Sequence, residues 1–120
     1  MSKAYDRVEW SFLEKIMLQM GFQDSWVAMV MQCVSTVTYS LLLNGERKGL
    51  IRPSRGLRQG DRLSPFLFLF CAKGLNALLN KVADNGEIRG LSLCHHGPKI
   101  THLIFADDCL LFCRSNKAEC

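Results

Sequence analysis

Residues 102–112 read His-Leu-Ile-Phe-Ala-Asp-Asp-Cys-Leu-Leu-Phe, two apolar runs around a pair of aspartates. Two such runs separated by a short polar break predict a tight antiparallel hairpin, with Ala106, Asp107 and Asp108 at its bend. Adjacent carboxylates repel, and neighbouring apolar strands favour partial loss of water. A divalent cation would relieve the repulsion, because Mg²⁺ is typically held by one or two carboxylates and completed by phosphates and water. An ordinary soluble turn is the alternative.

A second unusual stretch, residues 56–66, reads Gly-Leu-Arg-Gln-Gly-Asp-Arg-Leu-Ser-Pro-Phe. Ser64 followed by Pro65 predicts an N-cap and first helical position, opening an apolar helix that runs to about Val82. The glycines allow close approach of backbone to a ligand, and arginines beside a helix N-terminus favour anions. A capped loop-to-helix junction is the alternative, and it leaves the Arg-Gln-Gly-Asp insert unexplained.

The remaining elements alternate between helical and strand patterns. Asp6 and Glu9 have capping-box spacing before a helical apolar face that ends at Gly21. Further elements are predicted at residues 24–34 (helix), 37–43 and 47–52 (a hairpin through Asn44-Gly45), and 88–94 and 100–105 (strands). This order predicts one α+β domain spanning residues 1–120, an antiparallel sheet with helices packed on one face.

The chain has 120 residues and a net charge of +4, with 48% hydrophobic and 22% charged residues, the balance of a folded domain. Six of its fifteen lysine and arginine residues lie within the sixteen residues 47–62, opposed only by Asp61 and the adjacent Glu46. The cluster consists of Arg47, Lys48, Arg52, Arg55, Arg58 and Arg62. It is a candidate phosphate-facing surface, and a solvated face is the alternative.

Six cysteines without a signal peptide or a secreted spacing pattern predict reduced, intracellular thiols. Zinc would need paired ligands at short spacing, and the region from Cys94 to Cys113 has no C-x-x-C pair. The longest strongly apolar run, Phe66 to Ala72, is far shorter than the about 20 residues that cross a bilayer, so no membrane association is predicted.

Together with Lys3-Ala4-Tyr5-Asp6-Arg7-Val8-Glu9-Trp10, these stretches resemble the reverse transcriptases of non-LTR, LINE-type retrotransposons, notably those of plants. Residues 3–10 are similar to the tail of that family's first palm motif, residues 56–66 to its second, and residues 105–108 to its metal-binding box. Leu43-Asn44-Gly45 and Gly90-Leu91 also fall where the family has a hairpin and a strand. The resemblance covers nearly the whole chain.

The resemblance implies a palm fragment of an enzyme that copies RNA into DNA by two-metal phosphoryl transfer. Its partners in a complete enzyme are an RNA template, a DNA primer and deoxynucleoside triphosphates, and the family implies a nuclear location. The implied site comprises Asp107 and Asp108 as catalytic Mg²⁺ ligands, Tyr5 beneath the incoming sugar, and Arg58, Gln59 and Gly60 at the nucleotide and template. Tyr5 as a core aromatic is the alternative, and Asp6 is interpreted as a helix cap and not as a metal ligand.

The sequence departs from the family pattern at two places. The first motif carries an aspartate four residues before the aromatic, where this chain has Met1, and Arg62 replaces the proline that usually follows Gly-Asp. We therefore expect a fragment without fingers or thumb that does not polymerise alone and that is poorly soluble or seeks those missing segments as partners. A small RNA- or DNA-binding module without catalysis and an intron maturase are the competing hypotheses.

Overall fold

The computed structural model describes residues 4–94, 97–106 and 108–113. Within these residues a 3₁₀ turn at Tyr5–Arg7 precedes three helices and six strands. The helices are α1 (Trp10–Gln19), α2 (Asp24–Ser35) and α3 (Ser64–Asp84). The strands are β1 (Tyr39–Leu43), β2 (Glu46–Ile51), β3 (Leu91–Ser92), β4 (Lys99–Ile100), β5 (His102–Phe105) and β6 (Asp108–Leu111). The α+β class is confirmed.

The described residues form two compact units, one up to Cys71 and one from Ala72 onward, and α3 contributes to both. The first unit has a hydrophobic core in which Leu13 and Met17 of α1, Val27 of α2 and Leu67 of α3 are almost completely buried. Its other members are Val8, Val30, Leu57 and Cys71. Burial of these side chains from four separate segments stabilises the unit.

Helix α1 ends as predicted but begins later than predicted. Gly21 has a φ of +86°, and the N–H of Phe22 donates to the carbonyl of Met17 at 3.2 Å, the bond of a Schellman cap. At the other end the N-cap is Glu9, and among the described residues no side chain caps it. The predicted capping box is wrong: Asp6 lies in the 3₁₀ turn, and the backbone is extended at Val8 and Glu9, which separates Asp6 from the helix.

The hairpin of β1 and β2 confirms the Asn44-Gly45 turn, with φ values of +51° and +82° that fit a type I′ turn. The register shifts between Tyr39 and Leu41, where Gly49 and the next residue oppose one residue of β1. Such a bulge bends and twists the ladder. The apolar side chains of this hairpin are largely exposed, namely those of Leu41, Leu42, Leu43, Leu50 and Ile51.

Helix α3 begins one residue before the predicted first turn. The carbonyl of Leu63 accepts the N–H groups of Phe66 and Leu67, both at 3.1 Å, so Leu63 occupies the N-cap position and the assignment of Ser64 to it is wrong. The carboxylate of Asp61 accepts the N–H of Leu63 at 2.9 Å and stabilises this start. The sequence pattern alone does not determine where α3 begins, because Asp61 and Ser64 both have side chains that favour the N-cap position.

Helix α3 is also longer than its most apolar run. With 21 residues and a mean hydropathy of 1.4, it is long and apolar enough to cross a bilayer, by length and composition alone. The prediction of no membrane span considered only the short run from Phe66 to Ala72. Core helices of soluble proteins meet the same criterion. Only 17% of this apolar window is buried: Leu67 and Cys71 lie in the core of the first unit, whereas Phe66, Leu69 and Leu78 are exposed.

The strands form three two-stranded antiparallel ladders, β1 with β2, β3 with β4 and β5 with β6. Within the described residues this corrects the single sheet that the sequence predicted. Each ladder joins strands that are close in sequence, so it closes a short loop at low entropic cost. Strand β3 is shorter than predicted and follows Gly90, whose φ of +62° interrupts an extended chain.

Candidate functional site

The segment before α1 and the loop before α3 are joined by hydrogen bonds. The N–H of Leu57 donates to the carbonyl of Tyr5, and the N–H of Gly56 donates to the carbonyl of Val8, each at 2.8 Å. The indole N–H of Trp10 donates to the carbonyl of Gly56, also at 2.8 Å, across 46 positions of sequence. The segment before α1 and the start of the 56–66 loop, which resemble the first and second motifs of the family, are therefore one structural element.

Gly56 is required where the two segments meet. Its φ is +91°, a conformation that other residues rarely adopt, and a Cβ atom on it would lie 3.0 Å from the carbonyl oxygen of Asp6. Gly60, at the other end of the loop, also has a positive φ of +85°, yet a Cβ there would meet no described atom within 4 Å. The loop is thus tightly packed at its start and open at Gly60.

A cleft of about 510 Å³ lies over this junction. Two of the predicted contact residues, Arg58 and Gln59, line it, whereas Tyr5 and Gly60 do not. The other lining residues are Asp6, Tyr39, Pro53, Arg55, Gly56 and Leu57. Tyr39 and Pro53 are not predictable as site residues, because no local pattern indicates that the start of β1 returns to the loop.

Tyr5 packs against α3. Its ring stacks on that of Phe68 with a centroid separation of 4.7 Å and an interplanar angle of 12°. Both side chains are half-buried and pack against the core of the first unit. This contact agrees with the alternative in which Tyr5 is a core aromatic, and it also holds the ring in one orientation beside the loop.

The basic cluster is exposed in full. Lys48 pairs with Glu46 at 3.2 Å, and Arg55 pairs with Glu9 at 3.3 Å. Between described residues there is no ion pair to the other four cations of the cluster, which are Arg47, Arg52, Arg58 and Arg62. Exposed cations without internal partners favour contact with external anions such as phosphates.

The aspartate hairpin forms as predicted, with β5 and β6 paired from His102 opposite Leu111 to Phe105 opposite Asp108. Asp108 is exposed and opens β6, so the bend is shorter than predicted. Ala106 has a φ of +52°, a left-handed conformation that costs a non-glycine residue about 1–2 kcal/mol. Asp107 lies outside the described residues.

A histidine connects this hairpin to α3. The Nε2 atom of His102 lies 2.8 Å from Oδ1 of Asn76, and its Nδ1 atom lies 2.9 Å from Oγ1 of Thr101. Since Oδ1 only accepts, Nε2 must carry the donated proton, and in the neutral ring Nδ1 accepts the hydroxyl proton of Thr101. No sequence motif pointed to this bridge.

The donor chemistry at the hairpin suits Mg²⁺ in part. Carboxylate oxygens are hard ligands, and Mg²⁺ often takes only one or two of them from the protein. In the described ranges no group of three or more acidic, histidine or cysteine side chains is arranged to hold a metal ion. Asp108 could therefore contribute to a magnesium site whose other ligands come from Asp107, substrate phosphates and water.

Comparison with known proteins identifies the family. Residues 1–119 match the family model described as reverse transcriptase (RNA-dependent DNA polymerase). The chain belongs to the reverse transcriptase family. This family generally uses Mg²⁺.

Individual relatives support a non-LTR origin. The chain is 31% identical over 111 residues to a retrovirus-related Pol polyprotein from type-1 retrotransposable element R2 of Popillia japonica, covering 91% of the chain and 17% of the polyprotein. It is 41% identical over 68 residues to the corresponding R2 polyprotein of Nasonia vitripennis, covering 56% of the chain and 6% of the polyprotein. The chain is thus a reverse transcriptase domain fragment of the non-LTR type.

A plant relative is also similar. An uncharacterized mitochondrial protein of Arabidopsis thaliana is 46% identical over 67 residues, which cover 56% of the chain and 55% of that protein. The chain spans about half the length of this relative and less than a fifth of the R2 polyproteins.

Proposed function

We propose that this chain forms part of the palm of an RNA-directed DNA polymerase that copies an RNA template from a DNA primer with deoxynucleoside triphosphates. The observation that carries the proposal is the bond from the Leu57 N–H to the Tyr5 carbonyl, because it makes one structure of two motifs that the family uses around the nucleotide. The match over residues 1–119 supports the same assignment.

In this proposal the loop after Gly56 binds the nucleotide and the template. The guanidinium of Arg58 would neutralise phosphate charge, and the amide of Gln59, which can both donate and accept, would contact a base or sugar. A Cβ at Gly60 would meet no described atom within 4 Å, so the space beside this residue is open. Because glycine has no side chain, the backbone there would approach the template closely. Tyr5, held by Phe68, would contact the sugar with its ring edge.

Asp107 and Asp108 would hold Mg²⁺ at the hairpin. When bound, such ions activate the primer hydroxyl and stabilise the leaving pyrophosphate. The ladder of β5 and β6 would hold the carboxylate of Asp108 at the turn end of the hairpin, where Asp108 pairs with Phe105.

We further propose that the 120-residue chain does not polymerise by itself. Two-metal chemistry draws carboxylates from the first motif as well as from the hairpin, and the position four residues before Tyr5 is Met1. Two adjacent carboxylates on one bend cannot replace a ligand from another strand.

Primer extension tests the proposed inactivity, and any extension that occurs also tests the metal role of the two aspartates. The chain, Asp107→Asn and Asp108→Asn would be compared on a labelled DNA primer annealed to RNA with Mg²⁺ present. We expect no extension by any of them. Sustained extension that Asp107→Asn abolishes would refute inactivity and support the metal role, whereas extension that neither substitution reduces would refute the role of both aspartates.

A second candidate function is nucleic-acid binding without catalysis, favoured by the four exposed arginines that lack an ion-pair partner among the described residues. It predicts RNA affinity that falls steeply with salt and does not depend on Asp107 or Asp108. Mg²⁺-dependent affinity for a primer–template, reduced by Asp108→Asn, would instead favour the polymerase site.

A further inference from the structure

We propose that Trp10 is a positioning residue, whose indole N–H holds the Gly56 carbonyl and so fixes the direction in which Arg58 and Gln59 enter the cleft. The proposal rests on the function proposed above for the loop. It assigns to Trp10 no contact with nucleic acid or nucleotide. Its effect would be transmitted through the backbone of two residues, Gly56 and Leu57.

Trp10 is well placed to act as a fixed support. It is the first residue of α1, and α1 is anchored by Leu13 and Met17, each 0% exposed. The indole is half-buried and donates to the Gly56 carbonyl at 2.8 Å. A rigid helix therefore holds the donor, and the acceptor lies two residues before Arg58.

Among the described residues, the loop is held at its start, at Gly56 and Leu57, and not at residues 58–60. Gly56 and Leu57 are held by backbone bonds to Val8 and Tyr5, and Leu57 is 4% exposed. Residues 58–60 are exposed, and Gly60 has no described atom near its Cβ position. The orientation of Arg58 is therefore determined where the chain leaves Leu57, next to the carbonyl that Trp10 holds.

The polar contact can be separated from the packing of the ring. Trp10→Phe keeps an aromatic side chain but removes the N–H, which leaves the Gly56 carbonyl without that donor. A benzothienylalanine at position 10 is a closer isostere, since sulfur replaces the N–H and the ring system keeps its shape. The matched control is Trp26→Phe, because Trp26 of α2 stacks on Phe22 with a ring-centroid separation of 4.6 Å and lies outside the loop junction.

The first measurement is affinity for a fluorescein-labelled RNA–DNA primer–template, by anisotropy at constant salt. Losing one part-buried hydrogen bond should weaken binding about 2- to 10-fold in both position-10 variants, with the Trp26→Phe affinity unchanged. Binding equal to that of the parent in the benzothienylalanine variant would overturn the proposal, because packing alone would then account for Trp10.

The second measurement is amide hydrogen exchange at Gly56 and Leu57, whose N–H groups donate to Val8 and Tyr5. We expect faster exchange at these amides in both position-10 variants, while the amides of α2 keep the parent rates. If Trp10→Phe fails to fold, the benzothienylalanine variant gives the same comparison. Unchanged exchange at Gly56 and Leu57 would overturn the positioning role even if nucleic acid binds.

The two measurements separate failure of this inference from failure of the proposed function. A parent chain that binds no primer–template contradicts the proposed function, and the exchange rates still decide whether Trp10 positions the loop. A parent chain that binds, with variants that bind equally well, contradicts the inference alone.

Discussion

The backbone N–H of Leu57 donates to the backbone carbonyl of Tyr5 at 2.8 Å. Because Leu57 is buried in the core of the first unit, this bond lies where water competes poorly for the donor and acceptor. It holds the segment before α1 against the loop before α3. The nucleotide-binding elements proposed for the chain are therefore supported by backbone and core contacts, and their cleft-facing side chains remain available for ligands.

Gly56→Ala should destabilise the first unit more than Gly60→Ala. Both substitutions place alanine at positive φ, which costs about 1 kcal/mol, but only at position 56 does the new Cβ meet the Asp6 carbonyl, at 3.0 Å. We expect a loss in unfolding free energy of about 2–4 kcal/mol for Gly56→Ala and about 1 kcal/mol for Gly60→Ala. Urea denaturation followed by circular dichroism measures both, and equal losses would contradict the close approach at Gly56.

Phe68→Leu should loosen Tyr5. The stacked pair contributes about 0.5–1.5 kcal/mol beyond its buried area, which leucine cannot supply. Tyr5→Phe keeps two rings in contact and should leave the unfolding free energy nearly unchanged. Near-ultraviolet circular dichroism and urea midpoints measure the difference, and a larger loss for Tyr5→Phe than for Phe68→Leu would contradict the stacking argument.

The buried thiol of Cys71 should make stability fall at high pH. Burial raises its pKa from the ordinary value of 9.0 to about 11. The folded state thus favours the neutral thiol, so its contribution is complete below pH 9 and is lost as the pH rises towards 11. The loss should be about 2–3 kcal/mol at most.

The control for this pH dependence is Cys71→Ala, since lysines and tyrosines titrate in the same range. The difference in unfolding free energy between parent and variant should narrow between pH 9 and pH 11. In the folded parent, mass spectrometry should also show slower alkylation at Cys71 than at the exposed Cys33. Equal rates at the two cysteines would show that Cys71 is accessible.

Asn76→Ala should increase opening of the aspartate hairpin. Its Oδ1 atom is the acceptor for His102 at 2.8 Å, and removing it costs about 0.5–1.5 kcal/mol. We expect faster amide exchange in β5 and β6 and no change in α1. Asn80→Ala is the matched control, because Asn80 lies one turn further along α3 and is exposed. Equal effects of the two substitutions would contradict the bridge.

Features set by nearby residues were predicted well. The Gly21 cap, the Asn44-Gly45 turn and the hairpin of β5 and β6 each depend on a few consecutive residues, whose turn chemistry acts over short distances. Helix α2 also begins and ends close to its predicted bounds, at Asp24 and Ser35. The starts of α1 and α3 were misplaced, because several polar residues near each start could serve as the cap.

Family membership was recognisable from the residues alone, because short motifs such as Phe105-Ala106-Asp107-Asp108 keep their chemistry in their order along the chain. Only the folded chain decided that Tyr5 stacks on Phe68, that Trp10 holds Gly56, and that His102 reaches Asn76. Trp10 and Gly56 are 46 positions apart in the sequence, and His102 and Asn76 are 26 positions apart. No local propensity brings such residues together. For the contacts of Tyr5 and Trp10, burial of the core of the first unit does so, since it determines which distant segments share an interior. The His102–Asn76 contact is exposed and depends on how the hairpin of β5 and β6 lies against α3.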